Sequence, residues 1–101
     1  MYKRQARYEK LTVEQAEQRL TDIPGWEIEE GPRLVKRFKF PDFVTALKFV
    51  NRVGGAAEEL QHHPDIHLTW GKVGIELWTH SENGLTDKDF TLARRIDQCV
   101  G

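Results

Sequence analysis

Residues 41–64 read PDFVTALKFVNRVGGAAEELQHHP and carry the strongest hydrophobic periodicity of the chain. Apolar side chains recur there at spacings of three and four, which is typical of one face of an amphipathic helix. They are Phe43, Ala46, Leu47, Val50, Val53, Ala57 and Leu60. The segment therefore predicts a long helix that packs on a sheet or on other helices.

Both ends of this helix carry recognisable signals. Asp42 is a suitable N-cap, because its carboxylate can accept a free N–H of the first turn. Pro64 cannot continue a helix and restricts His63, so we expect the helix to end near His62. The pair Gly54-Gly55 interrupts the stripe at a cost of about 1 kcal/mol per glycine, and predicts a close backbone approach or a weak point.

Outward from this helix, the chain alternates between extended and helical patterns. Upstream, Thr12 and Gln15 form a capping-box signature for a first helix. Two extended runs follow, one around Trp26 and Ile28 and one over residues 34–40. The turn residues Gly31-Pro32 between them predict a hairpin.

Downstream, two further extended runs cover residues 66–70 and 72–79 and meet near Gly71. Thr86 and Asp89 then repeat the capping signature for a last helix. The predicted order is α-β-β-α-β-β-α. Two hairpins without βαβ spacing predict an α+β fold: a four-stranded antiparallel sheet with three helices on one face.

Composition limits the class of protein. The chain has 101 residues, which we interpret as a single domain over 1–101, with 39% hydrophobic and 31% charged residues. Its 15 basic residues nearly balance 16 acidic ones, so a direct nucleic-acid partner is not expected. No apolar run is long enough for a membrane span or a signal peptide, and Cys99 is the only cysteine. We expect a cytoplasmic protein.

Histidine is concentrated in a short part of the chain, because all four lie between positions 62 and 80. On a helix ending at His62, Glu58 would share its face at i, i+4 and could orient the imidazole. His63 follows at the helix exit, and His80 ends the last strand. If that strand end lies beside the helix end, three imidazoles surround one acid/base site.

Two other interpretations of the histidines are possible: a structural or solvated role, and a metal site. A single histidine at a helix C-terminus is more often solvated or paired with the helix dipole than catalytic, and we assign His67 no role. Three histidines could also bind catalytic zinc. The adjacent pair His62-His63 is poorly spaced for that, and His63 and His67 are separated by Pro64. We therefore expect no metal.

Four motifs together resemble the pterin-4a-carbinolamine dehydratase family over nearly the whole chain. They are Glu58-Glu59-Leu60-Gln61-His62-His63-Pro64-Asp65, Trp70-Gly71-Lys72-Val73, Leu77-Trp78-Thr79-His80 and Gly84-Leu85-Thr86 with Asp89. The resemblance implies the fold given above and a cofactor-free and metal-free dehydration of a 4a-hydroxytetrahydropterin to the quinonoid dihydropterin. That reaction recycles the pterin of an aromatic amino acid hydroxylase.

The resemblance also implies roles for particular residues. His62 would be the principal acid/base, His80 the hydrogen-bond partner of the leaving hydroxyl, and His63 a second proton acceptor or ring-positioning group. Five further residues would bind or frame the substrate: Glu58, Gln61, Ile66, Thr79 and Asp89. Gln61 and Ile66 depart from the residues common in the family, which puts the pocket wall in doubt more than the proton transfer.

The assembly and the competing function come from the same resemblance. We expect a homodimer or homotetramer. A different class of function is a non-catalytic binding module, since similar proteins serve as a dimerisation cofactor of a transcription factor or as assembly chaperones. The complete histidine set favours the enzyme, because a scaffold has no physical reason to keep it.

Overall fold

The helices and strands follow one another in the predicted order. The structure is a computed structural model that describes residues 9–100; the N-terminal segment, on which the expectation of no signal peptide partly depends, lies outside that range. Its elements are α1 (Val13–Arg19), β1 (Glu27–Glu29), β2 (Arg33–Lys39), α2 (Phe43–Leu60), β3 (Asp65–Thr69), β4 (Lys72–Leu77) and α3 (Asp87–Gln98).

The four strands form one antiparallel sheet in the order β1-β2-β4-β3. Each predicted hairpin pairs neighbouring strands, and the two hairpins join where β2 meets β4, with Leu34 opposite Leu77 and Phe38 opposite Val73. These four side chains all face the helices, because every second residue of a strand points to the same side of the sheet. Buried residues of all three helices join them in one core, so the predicted α+β architecture with helices on one face is confirmed.

The buried face of α2 differs from the predicted stripe. Phe49 and Ala56 are buried together with Ala46, Val53 and Ala57. Phe43 and Leu47, by contrast, remain 42% and 39% exposed. The helix has two adjacent apolar faces, one buried and one exposed. Spacings of three and four occur within each face and between them, so the sequence pattern did not distinguish the two. Phe49 faces the sheet, where its ring lies 4.7 Å from that of Phe38 and 5.0 Å from that of Phe40.

The predicted caps are present. Thr12 and Gln15 form the capping box of α1, and Asp42 Oδ1 accepts the Thr45 N–H at 2.8 Å at the start of α2. Hydrogen bonds from Thr45 hold the pKa of Asp42 below its ordinary value. These caps fix where α1 and α2 begin.

Among the described residues of one chain, no segment closely approaches Gly54 or Gly55, contrary to the first of the two alternatives predicted there. A Cβ atom added at either glycine would meet nothing within 4 Å. Gly25 is different, because its φ of +94° lies in the left-handed region and a Cβ there would lie 3.0 Å from Lys36. Among the described residues, no helix is long and apolar enough to span a bilayer.

We expect Gly55→Ala to raise the free energy of unfolding by about 1 kcal/mol, because alanine costs less backbone entropy within a helix and meets open space. Urea denaturation followed by far-UV circular dichroism measures this change. Gly25→Ala is the matched control and should destabilise the protein by about 1 kcal/mol, since its φ disfavours a side chain. A destabilising Gly55→Ala would show that this glycine has a backbone role.

Candidate active site

The C-terminal end of α2 determines where its two histidines lie. The helix ends at Leu60, and Gln61 adopts the left-handed conformation with φ 53°. The His62 N–H then bonds the Ala57 carbonyl at 3.1 Å, which closes the helix with a reversal common at helix C-termini. His62 therefore lies beyond the helix, and the chain direction changes one residue before it.

This reversal overturns the predicted pairing of Glu58 with His62. That prediction assumed that the helix continues through His62, which would place the two side chains on one face. Instead, Glu58 Oε2 lies 2.6 Å from His63 Nε2, in a pair whose side chains are 72% and 59% exposed. Such exposed pairs contribute little to stability, so Glu58 contacts His63 near the surface and does not anchor the site.

His62 has a buried partner instead. Its Nε2 lies 2.5 Å from Asp89 Oδ1, with His62 8% exposed and Asp89 fully buried. The second carboxylate oxygen, Oδ2, accepts the Thr86 N–H at 2.9 Å and the Thr79 hydroxyl at 2.9 Å. Asp89 thus completes the predicted capping box of α3 and also binds His62. Sequence spacing indicated only the first of these two roles.

His80 reaches the same place from the end of β4. It begins a short 3-10 turn over His80–Glu82, and Asn83 in the left-handed conformation reverses the chain. Thr79 and Gly84 pair across this turn, with the Thr79 N–H donating to the Gly84 carbonyl at 2.8 Å. The His80 ring lies against Trp78 at a centroid distance of 4.3 Å and an interplanar angle of 40°.

The three predicted catalytic histidines line one cavity of about 250 Å³. Its wall consists of Gln61, His62, His63, Trp78, Thr79, His80, Ser81 and Lys88. Three segments meet here: the chain after α2, the chain after β4 and the first turn of α3. Because β4 ends at Leu77, His80 lies beyond the strand that it was predicted to end. His67 lies elsewhere, on the opposite face of the sheet beside Gly74.

The remaining predicted site residues take different positions. Gln61 and Thr79 belong to the cavity wall, whereas Asp89 lies behind His62. Ile66 pairs with Ile75 on the helix-facing side of the sheet and packs against the core. Trp78 also forms part of the cavity wall. Ser81 and Lys88 were missed, because nothing in their spacing distinguishes them from ordinary turn and helix residues.

The composition of the site limits what it can bind or catalyse. Its polar groups are three imidazoles, two hydroxyls, an amide, an indole N–H and one ammonium group. Of these groups, imidazole is the one that can both donate and accept protons near neutral pH. Within the described residues 9–100, no group of three or more His, Cys, Asp or Glu is arranged to hold a metal ion.

Comparison with known proteins gives one consistent relationship. The sequence profile of the family described as "Pterin 4 alpha carbinolamine dehydratase" matches residues 9–99. A protein of Rubrobacter xylanophilus, provisionally named pterin-4-alpha-carbinolamine dehydratase, is 45% identical over 88 residues, which cover 87% of this chain and 82% of the relative.

Two solved structures share the fold. A transcriptional coactivator/pterin dehydratase from Brucella melitensis superposes with a TM-score of 0.87 and 35% identity, covering 92% of this chain and all of the other. A pterin dehydratase-like protein described as a RuBisCO assembly factor in the alpha-carboxysome has a TM-score of 0.67 and 26% identity. That match covers 76% of this chain and 90% of the other.

We expect Asp89→Ala to lower the free energy of unfolding by about 3 kcal/mol, because it leaves buried donors of His62, Thr79 and Thr86 without an acceptor. Asp87→Ala is the control. Asp87 is also in the first turn of α3 but its side chain is 59% exposed and pairs with Arg19, so its loss should cost about 1 kcal/mol or less. Urea denaturation compares the two, and equal losses would contradict a central role for Asp89.

Proposed function

The chain belongs to the pterin-4a-carbinolamine dehydratase family, and from this premise we propose that it removes water from a 4a-hydroxytetrahydropterin. The product would be the quinonoid dihydropterin, the oxidised form that must be reduced before an aromatic amino acid hydroxylase can use the pterin again. The observation that carries the proposal is the convergence of His62, His63 and His80 on one cavity.

The reaction requires two proton transfers and no redox partner. The C4a–O bond breaks as a proton reaches the departing hydroxyl, which leaves as water. The proton on N5 is removed and its electron pair forms the C4a=N5 double bond. Imidazoles suit both tasks, because the neutral ring accepts a proton and the charged ring donates one.

The contacts of each histidine support a division of these tasks. An ionised Asp89 can only accept hydrogen bonds, so it places the hydrogen of His62 on Nε2 and leaves Nδ1 for proton exchange with the substrate. His62 is therefore proposed as the principal acid/base. His80, held against Trp78, would bond the leaving hydroxyl. His63, paired with Glu58, would accept the second proton or position the ring.

The shape of the cavity is consistent with a small bicyclic ligand. Its volume of about 250 Å³ lies just below the range of about 300–1,000 Å³ common for small-molecule sites. A pterin head would fill it and extend its C6 substituent outward. Gln61 would contribute to the wall that contacts the ring, while Ile66 would support the sheet behind it.

A non-catalytic binding module is the competing function. The names of the two solved relatives, one a coactivator as well as a dehydratase and the other an assembly factor, favour it. The buried His62–Asp89 pair favours the enzyme, because burying two polar side chains is costly and a scaffold does not require it. We therefore place catalysis first and propose that it takes place in the cytoplasm.

We also propose that two copies of the chain associate through α2. Phe43, Leu47, Val50 and Gly54 continue one stripe along this helix, with Phe43 and Leu47 substantially exposed. The open side of Gly54 would allow a second helix to approach closely. A twofold axis across this face would make the stripe complementary to itself, as in a homodimer or in part of a homotetramer.

Mixing the purified protein with chemically generated 4a-hydroxytetrahydropterin and following the absorbance of the quinonoid product tests the enzyme. We expect His62→Ala and His80→Ala each to lower kcat/KM by about 100-fold or more, since each removes a proton-transfer group. His67→Ala replaces a histidine on the far face of the sheet and should leave the rate unchanged. A wild-type rate equal to that of buffer would favour the binding module.

Sedimentation velocity tests the α2 contact. Leu47→Glu should shift the protein toward the mass of a single chain, because it places a charge within an apolar interface. Val13→Glu makes the same change at a residue of α1 that is 64% exposed, and it should leave the assembly intact. Equal masses for Leu47→Glu and wild type would place the interface on another surface.

A further inference from the structure

The hydroxyl groups of Thr79, in the cavity wall, and of Thr86 form a buried cluster. Thr86 is fully buried and Thr79 is 8% exposed. The turn over residues 80–84 brings them together, so that their Oγ1 atoms lie 2.8 Å apart although seven positions separate them. Thr86 is also the N-cap of α3. Thr79 has no part in that cap, so its buried hydroxyl requires another explanation.

The number of hydroxyl hydrogens determines which group donates in each hydrogen bond of this cluster. Thr79 has a single hydroxyl hydrogen, which it donates to Asp89 Oδ2 at 2.9 Å. In the contact between the two threonines, Thr86 must therefore be the donor. The hydrogen bonds run from Thr86 to Thr79 and from Thr79 to Asp89, while His62 approaches Oδ1 of the same carboxylate.

We propose that Thr79 and Thr86 are positioning residues that hold the Asp89 carboxylate in one orientation and thereby fix the tautomer and ring plane of His62. This inference rests on the proposed function only for its effect on catalysis. Its physical basis is the fixed carboxylate: with Oδ2 bound by Thr79 and by the Thr86 N–H, Oδ1 stays directed at Nε2. The hydrogen of the neutral ring then remains on Nε2.

This assignment changes the role predicted for Thr79. As a substrate-binding residue it would donate to or accept from the pterin, and its loss would raise KM. Its hydroxyl hydrogen is instead committed to Asp89, so its loss should act through His62. We therefore expect kcat to fall while KM stays unchanged.

Thr79→Val tests the proposal, because valine has nearly the same shape and lacks the hydroxyl. We expect kcat to fall about tenfold or more, a size typical of residues that orient a functional histidine. Thr79→Ser should restore the rate, since it keeps the donor. Thr69→Val is the matched control at an exposed threonine of β3 and should change nothing. A KM effect alone, or full activity of Thr79→Val, would overturn the assignment.

A spectroscopic readout separates this inference from the proposed function. Long-range ¹H–¹⁵N spectra of the free protein, at a pH where the ring is neutral, report which nitrogen of His62 carries the hydrogen. We expect Nε2–H alone in the wild type and a mixture of tautomers in Thr79→Val. If the wild type shows Nδ1–H, the inference fails even if Thr79→Val does not fold. If wild-type protein has no dehydratase activity but the tautomer responds to Thr79→Val, the positioning role stands and the proposed function fails.

Discussion

The burial of one carboxylate is the constraint on which the site depends. Asp89 is fully buried, and a buried charge without partners would cost several kcal/mol. Its partners come from three parts of the chain: His62 after α2, Thr79 at the end of β4 and the Thr86 N–H at the start of α3. Satisfying this one group therefore requires the three segments that form the cavity to meet.

The same carboxylate divides the histidines into two kinds. His62 is anchored from behind in a buried position, whereas His63 and His80 lie at the exposed side of the site. An anchored ring presents one nitrogen at a fixed place, and exposed rings exchange protons readily with solvent. The proposed reaction needs a precisely placed acid/base group and a route for protons to water. The buried histidine would provide the first and the exposed histidines the second.

Local signals in the sequence predicted most of the fold. The caps at Thr12, Asp42 and Thr86, the two hairpins and the presence of the helix α2 each depend on residues close in sequence, and the structure confirms them. The wrong predictions concern tertiary contacts, which local sequence patterns do not specify. Phe49 and Leu47 differ in burial because the position of the sheet, and not the spacing, decides which apolar face packs.

The His62 partner shows the same limit within the site. Helical i, i+4 spacing selected Glu58 as the partner. The helix ends before His62, because Gln61 adopts the left-handed conformation, so that spacing does not apply. The true partner, Asp89, lies 27 positions away, and its sequence signal was a capping box. A capping box uses one oxygen of the carboxylate, and nothing in the sequence shows that the other contacts His62.

The arrangement of α2 bears on whether catalysis and protein binding exclude each other. The helix has 18 residues and is about 27 Å long. Its exposed large apolar side chains, Phe43, Val44 and Leu47, lie in the first half, while His62 and His63 follow its last residue. The proposed contact, which runs from Phe43 to Gly54, would end before the residues that follow the helix and line the cavity. The proposed association through α2 is therefore compatible with the proposed catalysis at the cavity.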